Sequence, residues 1–236
     1  MRIKKFLLIL AVVLPVASAW SQDTFMVRVK SGWGTYGMYR MRQFQALVSE
    51  NLRVNGRITE DYPAYFYYQL QLLSQNKDGY IRGLLVDYAS TGGRVAYADA
   101  TGSYRFDQRI ERIALGAHLE EELFRNEHFQ VSSALQLLLY TSLLSLDEVL
   151  TVEDEVNVSS PELSVLGGSA GIMFGAGYRP FKWLECRLDI GYEAQVFSET
   201  YRLTRSPNFL ANRLERQEFR PNWSGFRGGV SIGWLF

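Results

Sequence analysis

Twelve ionisable residues fall at positions where the chain alternates between apolar and polar side chains. They are Arg28, Lys30, Asp87, Arg112, His118, Glu120, Glu122, Glu185, Arg187, Asp189, Glu193 and Arg227. In an extended strand successive side chains point to opposite faces. Parity therefore gathers these groups on one face, together with Gln69, Gln71 and Gln136, and puts Leu, Val and Ile on the other. Both signs of charge are present, so the first chemistry to expect is an interlocked ion-pair network. A second is acid-base work by a His118 dyad with Asp87 or Glu120. There are only two histidines, and His128 falls in a short polar turn. His118 is followed by Leu119-Glu120, so no hydrolase-like His-x-Ser stands there, and a hydrogen-bonded structural histidine is the better reading. The single cysteine, Cys186, shares the apolar parity and has no partner for a disulfide. It reads as a small apolar filler.

The elements that position these groups are strands. Eight segments show period-two alternation: 25–36, 63–73, 80–88, 108–124, 129–143, 163–178, 183–197 and 225–236. The seventh is the cleanest, with Leu184, Cys186, Leu188, Ile190, Tyr192, Ala194 and Val196 opposing Glu185, Arg187, Asp189, Gly191, Glu193 and Gln195. Three connections are short, at 76–79, 125–128 and 179–182, and four are long, at roughly 37–62, 89–107, 144–162 and 198–222. Long and short alternate strictly, as in barrels with short periplasmic turns and long extracellular loops. The fold class expected is all-β: a transmembrane antiparallel up-and-down β-barrel of eight strands, or ten if loop one or loop four hides a hairpin. An eight-stranded barrel has an interior that side chains fill. The inward charges then plug it, the alternative being a small pore for ions or small solutes.

The chain ends support this. Arg2, Lys4 and Lys5, the apolar run 6–16 and Ala17-Ser18-Ala19 form a secretory signal peptide over residues 1–19, leaving one barrel domain over 20–236. Without Arg2, Lys4 and Lys5, 22 of the 25 basic residues face 25 acidic ones, a net −3 that gives no footprint for nucleic acid. The last strand places Phe226, Val230, Ile232, Trp234 and Phe236 on one parity and Arg227, Gly229, Ser231 and Gly233 on the other. It resembles the C-terminal strand of Gram-negative outer-membrane barrels, whose terminal Phe the barrel-assembly machinery recognises. Ile232, Trp234 and Phe236 are the expected assembly signal.

With the signal peptide, the strand pattern and Val27-Arg28-Val29-Lys30-Ser31-Gly32, the chain resembles the small eight-stranded family typified by OmpX and the OmpA membrane domain. That resemblance implies an outer-membrane location; the alternation of long and short connections puts both termini on the periplasmic side, no cofactor is expected, and neither is a peptidoglycan-binding domain of the OmpA type after Phe236. Its partners are membrane lipid and lipopolysaccharide, the assembly machinery, and an extracellular or envelope protein. The expected function is non-catalytic, in envelope integrity, adhesion or docking. Lipid A modification and service as an accessory barrel of a secretion complex are the alternatives from other classes.

Specificity is expected in the loops. Loop three carries Asp147, Glu148, Glu153, Asp154, Glu155 and Glu162 with no basic residue. Loop four carries Arg202, Arg205, Arg213, Arg216 and Arg220 against Glu199, Glu215 and Glu218, a set suited to lipopolysaccharide phosphates or to loop three. Phe44, Leu47, Val48 and Leu52 recur at helical spacing, so a short helix over the barrel mouth is expected in loop one.

Overall fold

The computed structural model describes residues 24–51, 56–100, 102–152, 155–202 and 218–236. The segment read as a signal peptide lies outside them. Antiparallel strands close into a ring of eight: β1 (Thr24–Gly34), β3 (Tyr65–Gln75), β4 (Tyr80–Asp99), β5 (Gly102–Arg125), β6 (Phe129–Val152), β8 (Glu162–Phe181), β9 (Leu184–Ser198) and β12 (Gly225–Leu235). The ring shuts where β1 pairs β12, from Met26 opposite Leu235 to Gly34 opposite Arg227. The Phe236 amide continues this ladder by donating to the Phe25 carbonyl at 2.9 Å. Closure leaves no strand edge in lipid, which a membrane-spanning sheet requires.

Short turns tie one end. In the first, the Asn76 side-chain oxygen accepts from the amides of Asp78 (3.1 Å) and Tyr80 (2.9 Å), and Gly79 takes a φ of +85° that favours glycine. In the second, Asn126 plays the same part for His128 (3.0 Å) and Phe129 (2.6 Å).

The outward face of the ring is an apolar belt, including Val29, Leu70, Leu72, Val86, Leu115, Leu137, Ile172, Leu188 and Val230. Aromatic pairs bound it on both sides. Trp33–Phe66 and Tyr192–Phe226 lie on the side of the long connections, with centroids 5.6 and 5.3 Å apart. Phe129–Tyr178, Phe181–Trp183 and Phe25–Phe236 lie on the turn side, at 5.0, 5.4 and 6.3 Å. Such girdles mark the two interfaces of a transmembrane barrel. Cys186 sits on the outward face.

Two expectations about loops need correction. A membrane strand needs about 9–11 residues, which the 11 residues of β1, β3 and β12 satisfy, but β5 and β6 have 24 each. Residues 89–107 are therefore mostly strand: β4 and β5 run on in register to Asp99 opposite Gly102. Likewise β6 continues to Val152 and folds back as β7 (Glu155–Ser159). The reason is a reversal of polarity. Along β5 the outward residues change from apolar (Leu119, Leu115, Ile113) to polar (Glu111, Arg109, Asp107, Arg105). The inward ones change from polar (Glu120, His118, Arg112) to largely apolar (Ile110, Phe106, Tyr104). This is what a strand leaving lipid for water must do when it still has a core behind it. Ten ring strands are not formed. Loop one contributes β2 (Arg57–Asp61), which pairs β4 above the belt, and loop four contributes β10 (Tyr201–Arg202) and β11 (Glu218–Phe219), which pair with each other.

The expected loop-one helix is α1 (Tyr39–Asn51). It buries Met41, Phe44, Gln45 and Val48 inside the raised end of the ring, in a cluster with Tyr62, Val95, Tyr104, Phe106, Ile110, Leu146, Tyr201, Phe219 and Trp223. Phe44 stacks on Phe219 with centroids 4.3 Å apart and meets Phe106 edge-on at 6.2 Å. Two polar side chains of this cap donate hydrogen bonds within it. Gln45 donates to the Glu60 carbonyl at 2.7 Å, and the Tyr62 hydroxyl donates to Gln108. Burial holds the Tyr62 phenol well above its usual range, so it remains a donor. Leu52 lies outside the described residues.

Candidate functional site

Beneath the cap, all twelve ionisable residues singled out above point into the ring, eleven of them buried and Glu122 half-buried at the turn-side mouth. They form two clusters stacked along the axis. The lower centres on Glu120. Arg28 Nη1 donates to Glu120 Oε2 at 3.0 Å, Arg187 donates to Oε1, and the Ser132 hydroxyl donates to Oε1 at 2.8 Å. Arg28 Nη2 also reaches Glu185 at 2.9 Å, Arg187 Nε reaches Asp189 at 2.5 Å, and Lys30 Nζ lies 3.3 Å from Asp189. The upper cluster centres on Arg112, which donates to both Asp87 and Glu193. Arg227 Nη2 lies 3.0 Å from Glu193 Oε2, an ionic approach off the line of a hydrogen bond.

Each cluster balances its own charge. Below, Arg28, Lys30 and Arg187 meet Glu120, Glu185 and Asp189; above, Arg112 and Arg227 meet Asp87 and Glu193. Charges taken from water are tolerated when they are paired and hydrogen-bonded in this way. Gln71 and Gln69 link the clusters. Gln71 accepts from Arg28 at 3.2 Å and donates to Gln69 at 3.1 Å, and Gln69 donates to Asp87 at 3.0 Å.

Two features make room for the arginines. The first is the small inward face of β8. An added Cβ at Gly175 would run into the Arg187 guanidinium, so glycine there is what lets Arg187 cross to Glu120. The second is an aromatic collar. The Arg227 guanidinium lies 5.1 and 4.9 Å from the Tyr36 and Tyr67 rings, and that of Arg112 lies 5.5 and 5.2 Å from Tyr140 and Trp223. Stacking on ring faces suits desolvated guanidinium. Tyr67 has the inward parity in the sequence. Tyr36, last in the alternating segment 25–36, has it too although β1 ends at Gly34, whereas Trp223 stands outside the strands, where no periodicity points to it.

His118 is fully used. A neutral ring fits its surroundings: Nε2 donates to Glu120 at 2.8 Å and Nδ1 accepts from the Gln136 amide at 3.2 Å. Asp87, the other carboxylate considered for a dyad, is instead taken by Arg112 and Gln69. Nothing in this geometry frees the imidazole to take a proton from a substrate.

At the turn-side mouth, Glu122 accepts from Gln75 at 2.7 Å and Arg125 at 3.3 Å. Arg179 donates to Glu185 at 2.9 Å and lies 3.8 Å from Glu122. Gln75 and Arg179 join the network without having stood out in the sequence, because each sits at the ragged end of a strand. At the raised end, Glu148 is not a loop acid. It faces inward on β6 and accepts from the Tyr104 hydroxyl at 2.9 Å. Of the loop-four arginines, Arg220 is exposed and the Arg202 backbone lies in β10, while Arg205, Arg213 and Arg216 lie outside the described residues, as do Glu153 and Asp154. Ile232, Trp234 and Phe236 face outward at the closing strand.

No family model and no curated protein matches the sequence. Solved structures do. The crystal structure of a major outer membrane protein from Thermus thermophilus is 11% identical with a TM-score of 0.50, covering 91% of this chain and 99% of that one. The crystal structure of Neisserial surface protein A (NspA) is 9% identical with a TM-score of 0.43, covering 90% of this chain and 97% of that one. Ail, the attachment invasion locus protein of Yersinia pestis, is 11% identical with a TM-score of 0.36, covering 89% and 98% respectively. The likeness to the Thermus protein shows a shared fold, a small barrel of the outer-membrane kind.

Proposed function

We propose that this chain is a non-catalytic outer-membrane protein whose sealed barrel holds a raised β-wall and loops outside the cell for envelope integrity, adhesion or partner docking. One observation carries the reading: the interior is occupied at successive levels. The Glu120 cluster, the Arg112 cluster and the α1 cap follow one another along the axis. A pore needs a hydrated path past all three.

Both termini belong to the periplasmic side in this reading, since the short turns share their end of the ring and the long extensions occupy the other. Residues 1–19 serve as a removed signal peptide, and Ile232, Trp234 and Phe236 serve as the signal for the barrel-assembly machinery. The arginines at 202, 205, 213, 216 and 220 meet lipopolysaccharide phosphates, with the exposed Arg220 the described member. Cysteines placed singly at Asn157 and Lys77 test location and sidedness in whole cells. A membrane-impermeant maleimide is expected to label Asn157→Cys in intact cells and Lys77→Cys only after outer-membrane permeabilisation. The reverse pattern would overturn the orientation.

A further inference from the structure

The turn-side mouth departs from the charge balance of the lumen. It opens into a cavity of about 970 Å³ whose wall carries Lys77, Arg125, Arg179 and Lys182 against one carboxylate, Glu127. Arg179 and Arg125 are held by Glu185 and Glu122. Lys77 and Lys182 are exposed on the β3–β4 and β8–β9 turns, which lie four strands apart in the ring of eight and so on opposite sides of the opening. Arg125 approaches from the β5–β6 corner between them. An apolar patch of Pro180, Phe181 and Leu235 completes the wall.

We propose that this cavity docks an acidic peptide segment of a periplasmic partner protein. Carboxylates of the segment meet Lys77 and Lys182 from opposite sides, and an adjoining aliphatic side chain lies on Phe181 and Leu235. The volume suits a few residues of extended chain. A peptide is favoured over a lipid headgroup because Lys77 and Lys182 stand on opposite sides of the opening, where carboxylates spaced along one extended segment reach both. It is favoured over a sugar because the Phe181 and Trp183 rings stack on each other, with planes 4° apart, which covers one face of each. The periplasmic identity of the partner rests on the orientation proposed above.

The test uses the mature chain refolded into zwitterionic nanodiscs and a fluorescein-labelled peptide of alternating Glu and Leu. Anisotropy is expected to show binding that weakens as salt rises. The double variant Lys77→Glu with Lys182→Glu is expected to bind about tenfold or more weakly, since rim charges of one sign are exchanged for the other. Both sites are exposed, and heat-modifiable gel migration checks that the variant folds; Lys182→Glu alone is expected to fall between the two. Equal affinity for wild type and double variant overturns the proposal, as does equal binding of a peptide with Lys in place of Glu. Displacement of the probe when phosphatidylglycerol is added to the disc overturns it in favour of a lipid headgroup. Binding that appears only after deletion of residues 20–23 overturns it in favour of the chain's own N-terminal segment. Labelling of Lys77→Cys in intact cells overturns the periplasmic partner whatever the probe does.

Discussion

Arg28 Nη1 lies 3.0 Å from Glu120 Oε2, although β1 and β5 are three strands apart in the ring and the residues are 92 positions apart in the chain. The pair crosses the lumen, and Arg187 and His118 converge on the same carboxylate. Removing that carboxylate leaves two buried guanidinium groups short of a partner. Glu120→Ala is expected to destabilise the folded barrel by about 3–5 kcal/mol, read as a shift in the urea midpoint of the protein in lipid vesicles. Glu120→Gln keeps hydrogen-bond acceptance and is expected to cost less. Equal midpoints for wild type and Glu120→Ala would contradict the network.

Leu188 and Asp189 are neighbours on opposite faces of β9, Leu188 exposed on the belt and Asp189 buried beside Lys30 and Arg187. Leu188→Arg puts a charge in lipid at a cost of about 2–4 kcal/mol and is expected to block assembly far more than Asp189→Asn. Folded yield on heat-modifiable gels compares them. Equal yields would contradict the register of β9.

Gly175→Ala fills the space that the Arg187 side chain crosses. The variant is expected to fold while pushing Arg187 off Glu120, lowering the urea midpoint. Adding Arg187→Met to Gly175→Ala should recover little, since Glu120 then loses a partner outright. A Gly175→Ala barrel as stable as wild type would show that β8 has no need of glycine there.

The belt-spanning part of each strand was readable in the sequence because one face is uniformly apolar there. Leu184 through Val196 and the parity of Arg187, Asp189 and Glu193 needed no other information. The extensions of β4, β5 and β6 were not readable, because alternation continues at Arg105, Phe106 and Asp107 with its polarity inverted. The apolar residues of the outward parity end at Ile113, so the segment closes at Gln108 and residues 89–107 read as loop. Which charges would meet was also beyond the sequence. Parity puts His118, Asp87 and Glu120 on one face and makes Glu120 the neighbour of His118 two residues along β5, but the pairing of β4 with β5 decides that Asp87 meets Arg112 and not His118. The α1 cap was legible from Phe44 and Val48 at helical spacing, and Tyr36 from its inward parity at the end of segment 25–36, whereas Trp223 belongs to an irregular segment that carries no period.

Phe44 joins α1 to Phe219 and Phe106. Phe44→Ala is expected to cost about 3–5 kcal/mol of local packing, read as faster amide exchange in α1 with β9 and β12 unchanged. Deleting residues 41–54 should remove most of the helical circular dichroism. A helical signal unchanged by the deletion would contradict the cap.

Two neutral ion-pair clusters and the α1 cap close the barrel along its axis. Single-channel recording across a planar bilayer tests this closure. The refolded mature protein is expected to give no discrete conductance steps. The deletion of 41–54 combined with Glu120→Ala and Arg112→Ala, if it folds by gel migration, is expected to give them. Regular ohmic steps from the unmodified protein would contradict the sealed lumen.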